Sequence, residues 1–204
     1  MAHPMKKPLP ALLALVLALL PAAAARAADA PSAWPEIQRE NKPWTRWWWP
    51  GSAVDRAGIT RELEQIAAAG LGGVEITPIY GAQGAEARSI DFLSPQWMEM
   101  LTYAAREAQR LGLGVDMVTG TGWPFGGPWV TPADSNTKIV FSNGRLAGEP
   151  TKMMVKRAAP GDEGLVLDPY SPEALRHYLA PFDRAFAQFP RGLVRSQFHD
   201  PFEY

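Results

Sequence analysis

The stretch Arg46-Trp47-Trp48-Trp49-Pro50-Gly51 places three consecutive tryptophans behind an arginine. Side chains alternate between the two faces of a strand, so Trp47 and Trp49 are predicted on one face and Trp48 on the other. The alternative is a strand that is buried on both faces. A flat indole with one N–H donor suits the face of a sugar ring, and Arg46 adds a fork of donors for hydroxyls or a carboxylate. The stretch therefore predicts a strand that carries binding residues.

A second aromatic stretch is rich in glycine. It runs from Gly120 to Trp129 and reads Gly-Thr-Gly-Trp-Pro-Phe-Gly-Gly-Pro-Trp, with Trp123 near its centre. Such a sequence predicts a loop that presents aromatic rings. The two stretches together favour a carbohydrate site over a purely structural role for the tryptophans.

The chain begins with a segment typical of a secretory signal. A pair of lysines precedes an apolar run at 11–20 that is too short to cross a bilayer. A small-x-small cleavage pattern ends at Ala27, so residues 1–27 are predicted to be removed and 28–42 to form a short leader. We therefore expect a secreted or periplasmic bacterial protein with no membrane span after cleavage.

Composition limits the classes of partner. The 204 residues include 20 Lys and Arg against 21 Asp and Glu, a formal net charge of −1, and no cysteine. This balance provides no basic stripe for nucleic acid, and disulfides play no part in the fold. We therefore expect a glycan or another small substrate rather than a nucleic acid.

Strands and helices are predicted to alternate along the mature chain. The predicted order is strand 43–49, helix 59–69, strand 73–77, helix 95–111, strand 113–119, a helix starting at 172 and strand 192–198. Alternation at this spacing predicts parallel βα units. The last helix carries an apolar stripe that includes Leu175, and Pro181 is predicted to kink or split it.

About four βα units do not close a (β/α)8 barrel, which usually takes about 250 residues. The predicted fold is α/β, a partial TIM-like barrel over residues 43–204 with two open edges and an uncovered apolar lining. A small open four-stranded sheet is the alternative.

Functional side chains of parallel α/β folds collect at the carboxyl ends of strands. Glu75 interrupts an apolar strand and needs partners, which favours a site role over a structural ion pair. Asp116 lies in a similar setting, but a structural role is favoured for it. The basic turn 156–164 is predicted to be an exposed loop.

Two acids, Asp200 and Glu203, follow the fourth predicted strand. Glycoside hydrolysis needs one carboxylic acid to protonate the leaving oxygen and a second carboxylate as base or nucleophile. An acid near a chain terminus is otherwise a solvated surface group. His199 beside Asp200 is weak evidence for a metal site.

Several blocks of the sequence together resemble one family. They are Arg46-Trp-Trp-Trp-Pro-Gly, Gly58-Ile-Thr-Arg-Glu-Leu, Ala69-Gly-Leu-Gly-Gly-Val-Glu-Ile, Ser94-Pro-Gln-Trp, Thr119-Gly-Thr-Gly-Trp-Pro-Phe-Gly-Gly-Pro, Val155-Lys-Arg-Ala-Ala-Pro-Gly, Val166-Leu-Asp-Pro-Tyr-Ser and Phe198-His-Asp-Pro-Phe-Glu. In this order they resemble the start of the catalytic region of glycoside hydrolase family 106, the α-L-rhamnosidases and similar secreted hydrolases. The likeness covers nearly the whole mature chain.

The resemblance implies an inverting, calcium-assisted barrel hydrolase that acts on terminal rhamnose. It implies that Glu203 is the general acid and that the base lies beyond Tyr204, so this truncated chain is expected to be inactive alone. A longer β-rich insertion of the family is reduced here to a short link around 142–155. The predicted substrate-binding residues are Arg46, Trp48, Trp49, Glu75, Trp123 and Asp200.

Two other functions remain open from the sequence. The chain could be a non-catalytic carbohydrate-binding remnant that uses the aromatic loops without a complete acid–base pair. A sugar isomerase or epimerase on the same barrel is a third alternative, because the loops of a barrel set its function.

Overall fold

The computed structural model describes residues 34–199. The predicted signal segment 1–27 and the two acids Asp200 and Glu203 lie outside the described residues, as do residues 28–33 of the predicted leader. Contacts divide the chain after Ile37, and every element below belongs to the unit that begins at Gln38.

Four parallel strands form the main sheet, in the order in which they occur along the chain. They are β1 (Trp44–Pro50), β2 (Gly73–Ile79), β3 (Gly114–Val118) and β8 (Gln197–Phe198). Three helices connect them: α1 (Arg56–Ala68), α2 (Pro95–Arg110) and α3 (Pro172–Phe186). The α/β prediction is confirmed in this form, a parallel sheet with three helices.

Helix starts follow the predicted side-chain chemistry. Ser94 and Ser171 each accept a hydrogen bond from a backbone N–H in the first turn, with proline as the next residue. Asp55 caps α1 in the same way, which places its start three residues before the predicted one. The end of α1 is followed by Gly70, whose φ of +81° is the left-handed geometry that glycine adopts readily.

Pro181 does not split α3, which runs through it from Pro172 to Phe186. Tyr178 and Phe182, on either side of the proline, are buried in the core. Tertiary packing of this face offsets the hydrogen bond that proline cannot make. Leu175, predicted within the apolar stripe, is 42% exposed instead, and Ala174 is the buried residue of that turn.

The core lies between the helices and one face of the sheet. Buried residues of this core include Trp47, Trp49, Leu63, Val74, Ile76, Trp97, Leu101, Val115 and Met117. The predicted alternation in β1 is confirmed, since Trp47 and Trp49 are buried whereas Trp48 is 44% exposed.

The connection between β3 and α3 contains four strands that the sequence analysis did not predict. Two short ones, β4 (Gly126–Gly127) and β7 (Leu165–Val166), pair antiparallel. The other two, β5 (Thr137–Ser142) and β6 (Arg145–Pro150), form a hairpin across Asn143 and Gly144. The link around 142–155 therefore contains the turn and the second strand of this hairpin. The turn residues Asn143 and Gly144 both have positive φ.

The fourth predicted strand is also much shorter than expected, two residues instead of 192–198. None of the helices in residues 34–199 has the length and apolar character needed to cross a membrane.

Candidate functional site

The second face of the main sheet, which we call the charged face, carries Trp44, Arg46, Trp48, Glu75 and Asp116. Strand register places Arg46 beside Glu75 and Glu75 beside Asp116, so these side chains share one face. The sequence analysis predicted an apolar lining here. That prediction is wrong, because two arginine–carboxylate pairs cover the centre of this face.

The first pair joins β1 to β2. Nε of Arg46 donates to Oε1 of Glu75 at 2.8 Å, and the hydroxyl of Thr77 donates to the same oxygen at 3.3 Å. The two charged side chains are 33% and 20% exposed. Glu75 therefore has the partners that its half-buried position requires.

Arg46 also contacts aromatic rings on both sides. Its guanidinium carbon lies 5.3 Å from the ring centroid of Trp48 and 4.6 Å from that of Phe198 on β8. Cation–π contacts and the bond to Glu75 fix the guanidinium plane. Arg46 is thus a positioning residue for Trp48 as well as an ion-pair partner.

The second pair joins β3 to the segment before β8. Nε and one terminal nitrogen of Arg195 donate to the two carboxylate oxygens of Asp116, at 3.0 and 2.6 Å. The structural role favoured for Asp116 agrees with this bidentate geometry. The same guanidinium lies 4.0 Å from the ring centroid of Trp44.

Trp44 lies across two glycines of the neighbouring strands. A Cβ built on Gly73 or Gly114 would collide with its ring, so the ring needs glycine at both positions. The sequence analysis missed Trp44, although it lies two residues before Arg46 and therefore on the same face. No sequence signal pointed to Arg195, which is 79 residues away from Asp116 in the chain.

Trp48 and Trp123 come together at the carboxyl ends of the strands. Their ring centroids are 6.2 Å apart and their planes tilt by 42°. With four neighbours they line an open cavity of about 340 Å³, whose lining is Trp48, Pro50, Ile79, Tyr80, Trp123 and Arg157. We call this cavity the aromatic pocket.

The loop that carries Trp123 is held by the segment 155–159. Trp123 and Lys156 exchange two backbone hydrogen bonds, of 3.0 and 2.9 Å, and Ala159 N–H donates to the Thr121 hydroxyl at 3.1 Å. At Gly122, with φ +65°, a Cβ would collide with the Lys156 carbonyl. The predicted exposed turn 156–164 is thus partly buried, and it fixes the aromatic loop.

Asp162 in the turn 156–164 is buried, and its Oδ2 has no hydrogen-bond partner among the described residues. Burial, with the nearby charges of Glu163 and Asp91, raises the pKa of Asp162 to about 7, and the Thr121 hydroxyl opposes the rise. No sequence signal distinguished this acid from its exposed neighbour Glu163.

Trp49 does not join the site. It has no exposed surface, and its ring packs 6.1 Å from that of Trp97 and 5.5 Å from that of Trp47. The alternation that exposes Trp48 turns Trp49 toward the helices. The prediction of Trp49 as a sugar-binding residue is corrected: the structure makes it a core residue.

Asp200 and Glu203 follow the last described residue, His199, whose ring lies 4.5 Å from that of Phe125. Their predicted roles stay predictions. Within residues 34–199 no three His, Cys, Asp or Glu side chains cluster for a metal, and the strand carboxylates Glu75 and Asp116 are engaged by arginine. The calcium site implied by the family resemblance also stays a prediction.

Part of the chain is similar to two larger proteins that are described as glycosidases. A putative β-glucuronidase of Formosa agariphila is 31% identical over 109 residues, which make up 53% of this chain and 9% of that protein. The solved structure of a rhamnosidase from Novosphingobium sp. PP1Y shares 27% identity, with a TM-score of 0.43, over 52% of this chain and 10% of that one. The matched region thus spans about a tenth of each relative.

The sequence profile of the α-L-rhamnosidase family matches residues 36–182. This range covers more than half of the chain and includes Arg46, Trp48, Glu75, Trp123 and Arg157. The chain therefore belongs to the α-L-rhamnosidase family, glycoside hydrolase family 106.

Proposed function

We propose that this chain is part of a secreted or periplasmic glycoside hydrolase that releases terminal rhamnosyl or related residues from glycans. One observation carries the proposal. In a chain of the rhamnosidase family, the indoles of Trp48 and Trp123 meet at the carboxyl ends of parallel strands, with Arg46 fixed behind Trp48. An exposed indole beside a half-buried one suits the apolar face of a sugar ring.

The sheet order supports part of a (β/α)8 barrel for residues 43–204. In doubly wound sheets the strand order reverses at a switch point, and ligands bind there. Here the order follows the chain, β1-β2-β3-β8, without a reversal among the described strands. Continued addition of βα units in the same direction would close a (β/α)8 barrel, with the charged face as its inner surface.

Acid–base chemistry is proposed for Glu203. The residue follows β8 by five positions, on the carboxyl side of a strand whose Phe198 contacts Arg46. A general acid must stay protonated until the leaving oxygen takes its proton, and aromatic surroundings raise a carboxyl pKa by desolvation. The partner carboxylate and any calcium would come from residues outside 34–199.

The variant Glu203→Gln tests this role in the full-length protein. We expect turnover of alkyl rhamnosides, whose leaving group needs a proton, to fall by about 100-fold or more. Activated aryl rhamnosides should lose much less, and rhamnose binding should be retained. Glu163→Gln, on an exposed turn, is the matched control. Equal losses on both substrates would remove Glu203 from the acid role.

A non-catalytic binding function is the second candidate. It is favoured by the engagement of both strand carboxylates on the charged face with arginine side chains. Measurable affinity for methyl α-L-rhamnoside, with no turnover of any rhamnoside by the full-length protein, would support binding and reject hydrolysis.

A further inference from the structure

The lining of the aromatic pocket carries a single charged side chain. Of its six lining residues, Arg157 alone is charged, and no carboxylate lines it. The other walls are three aromatic rings and two aliphatic side chains. The pocket thus combines flat apolar surfaces with one positive group.

No carboxylate among the described residues neutralises Arg157. Its guanidinium carbon lies 5.6 Å from the Trp123 ring centroid, and it forms no ion pair within residues 34–199. The arginines of the charged face behave differently, since Arg46 and Arg195 are paired with carboxylates. The guanidinium N–H donors of Arg157 are therefore available to a ligand anion.

The backbone holds Arg157 in place. Its φ of +62° is a left-handed conformation that residues with a Cβ adopt only when the surrounding structure holds them there. Its carbonyl accepts a hydrogen bond from Tyr80 N–H at 3.0 Å, which ties it to the end of β2. Its neighbour Lys156 is bridged to Trp123. The pocket is therefore formed before a ligand arrives.

We propose that the aromatic pocket binds an acidic sugar, a hexuronate residue of the glycan. The pyranose ring would pack against Trp48 and Trp123, and its carboxylate would accept two hydrogen bonds from Arg157. The planar guanidinium fork matches a planar carboxylate. This inference rests on the proposed function, because it names the class of sugar that binds at the same site, between Trp48 and Trp123.

Titration of the full-length protein with three probes tests the proposal. The probes are methyl β-D-glucuronoside, its neutral methyl ester and methyl α-L-rhamnoside, followed by calorimetry. We expect the acid to bind about tenfold or more tightly than its ester, since a charge-assisted bond contributes about 1.5–3 kcal/mol. Arg157→Gln should remove this preference, so that acid and ester bind the variant with equal affinity.

Two further variants sharpen the result. Arg157→Lys keeps the positive charge but lacks the planar guanidinium. It should retain only part of the preference for the acid over the ester. Arg145→Gln, on the exposed hairpin, removes a distant arginine and should change nothing. Near-ultraviolet circular dichroism checks that each variant keeps its aromatic packing.

The failures are distinguishable. Rhamnoside binding with equal affinity for acid and ester would overturn the uronate pocket alone. A fourth probe, glucose 6-sulfate, is titrated in the same way. If it binds more tightly than the glucuronoside, the uronate proposal is also overturned, because the pocket would then be selective for sulfate. Binding of none of the probes would overturn both this inference and the proposed function.

Discussion

At the scale of single residues, Trp48 and Trp49 are chain neighbours with opposite environments. Trp49 has no exposed surface and lies among the helices, whereas Trp48 is 44% exposed beside Trp123. The alternation of a strand separates them. One indole therefore supports the fold and the other is available to a ligand.

Alanine substitutions should separate these roles. Trp49→Ala deletes a fully buried indole and is expected to cost about 3–5 kcal/mol of unfolding free energy. Trp48→Ala should change stability by less than about 1 kcal/mol but weaken rhamnoside binding by about tenfold. Urea unfolding and calorimetry measure the two effects. A large stability loss in Trp48→Ala with unchanged binding would contradict the assignment.

At the scale of elements, the segment 155–162 packs against the aromatic loop and is partly buried, unlike an ordinary surface turn. It holds the aromatic loop through backbone bonds between Lys156 and Trp123, and it buries Asp162 behind that loop. Buried carboxyls without partners are rare because burial disfavours their charged form. Asp162 therefore makes the stability of this segment depend on pH.

The sign of this dependence follows from the pKa of Asp162, raised from 3.8 to about 7. Between these values the unfolded chain ionises Asp162 while the folded chain keeps its proton, so stability falls as pH rises from about 4 to 7. The variant Asp162→Asn has no carboxyl to ionise at this position and should not lose stability in this way. We expect its Tm, relative to that of the parent protein, to increase over this range.

Thermal melts from pH 4 to 8 measure the difference, with Glu149→Gln on the exposed strand β6 as the control. That variant keeps the buried carboxyl and should follow the parent protein closely. A Tm difference between parent and Asp162→Asn that is constant with pH would show that Asp162 does not titrate as stated.

At the scale of the whole molecule, the main sheet has helices against one face and a charged, aromatic second face. Among the described strands, β1 and β8 each pair on one side only. Unpaired edges are templates for pairing with another chain. The ion pairs on the charged face make this face less apolar than expected, so the edges remain the main cause of association.

We expect the isolated 204-residue chain to self-associate, and Thr45→Lys on the edge strand β1 to reduce association because lysine disfavours edge pairing. Size-exclusion chromatography over a range of concentrations measures both. Thr60→Lys, on α1, is a control that leaves the edge unchanged. A monodisperse monomer that melts cooperatively would contradict the prediction.

The sequence by itself determined the local elements of this protein. Helix caps at Ser94 and Ser171, the glycine after α1 and the period-two pattern of β1 depend on neighbouring residues, so they could be predicted. The alternation of β1 also predicts that Trp48 faces away from Trp47 and Trp49, and a Glu75 that is half-buried requires a partner. The pair Asn143-Gly144 is likewise a local signal for the turn of the hairpin.

Only the tertiary structure decided which residues form the site. The partners of Asp116 and Glu75 lie 79 and 29 residues away in the chain. Trp123 meets Trp48 because separate strands end at one edge of the sheet. Arg157 reaches them through the fold of the segment 155–162. Contacts over such distances leave no periodic signal, and burial of a polar group such as Asp162 follows from packing that single-sequence patterns do not contain.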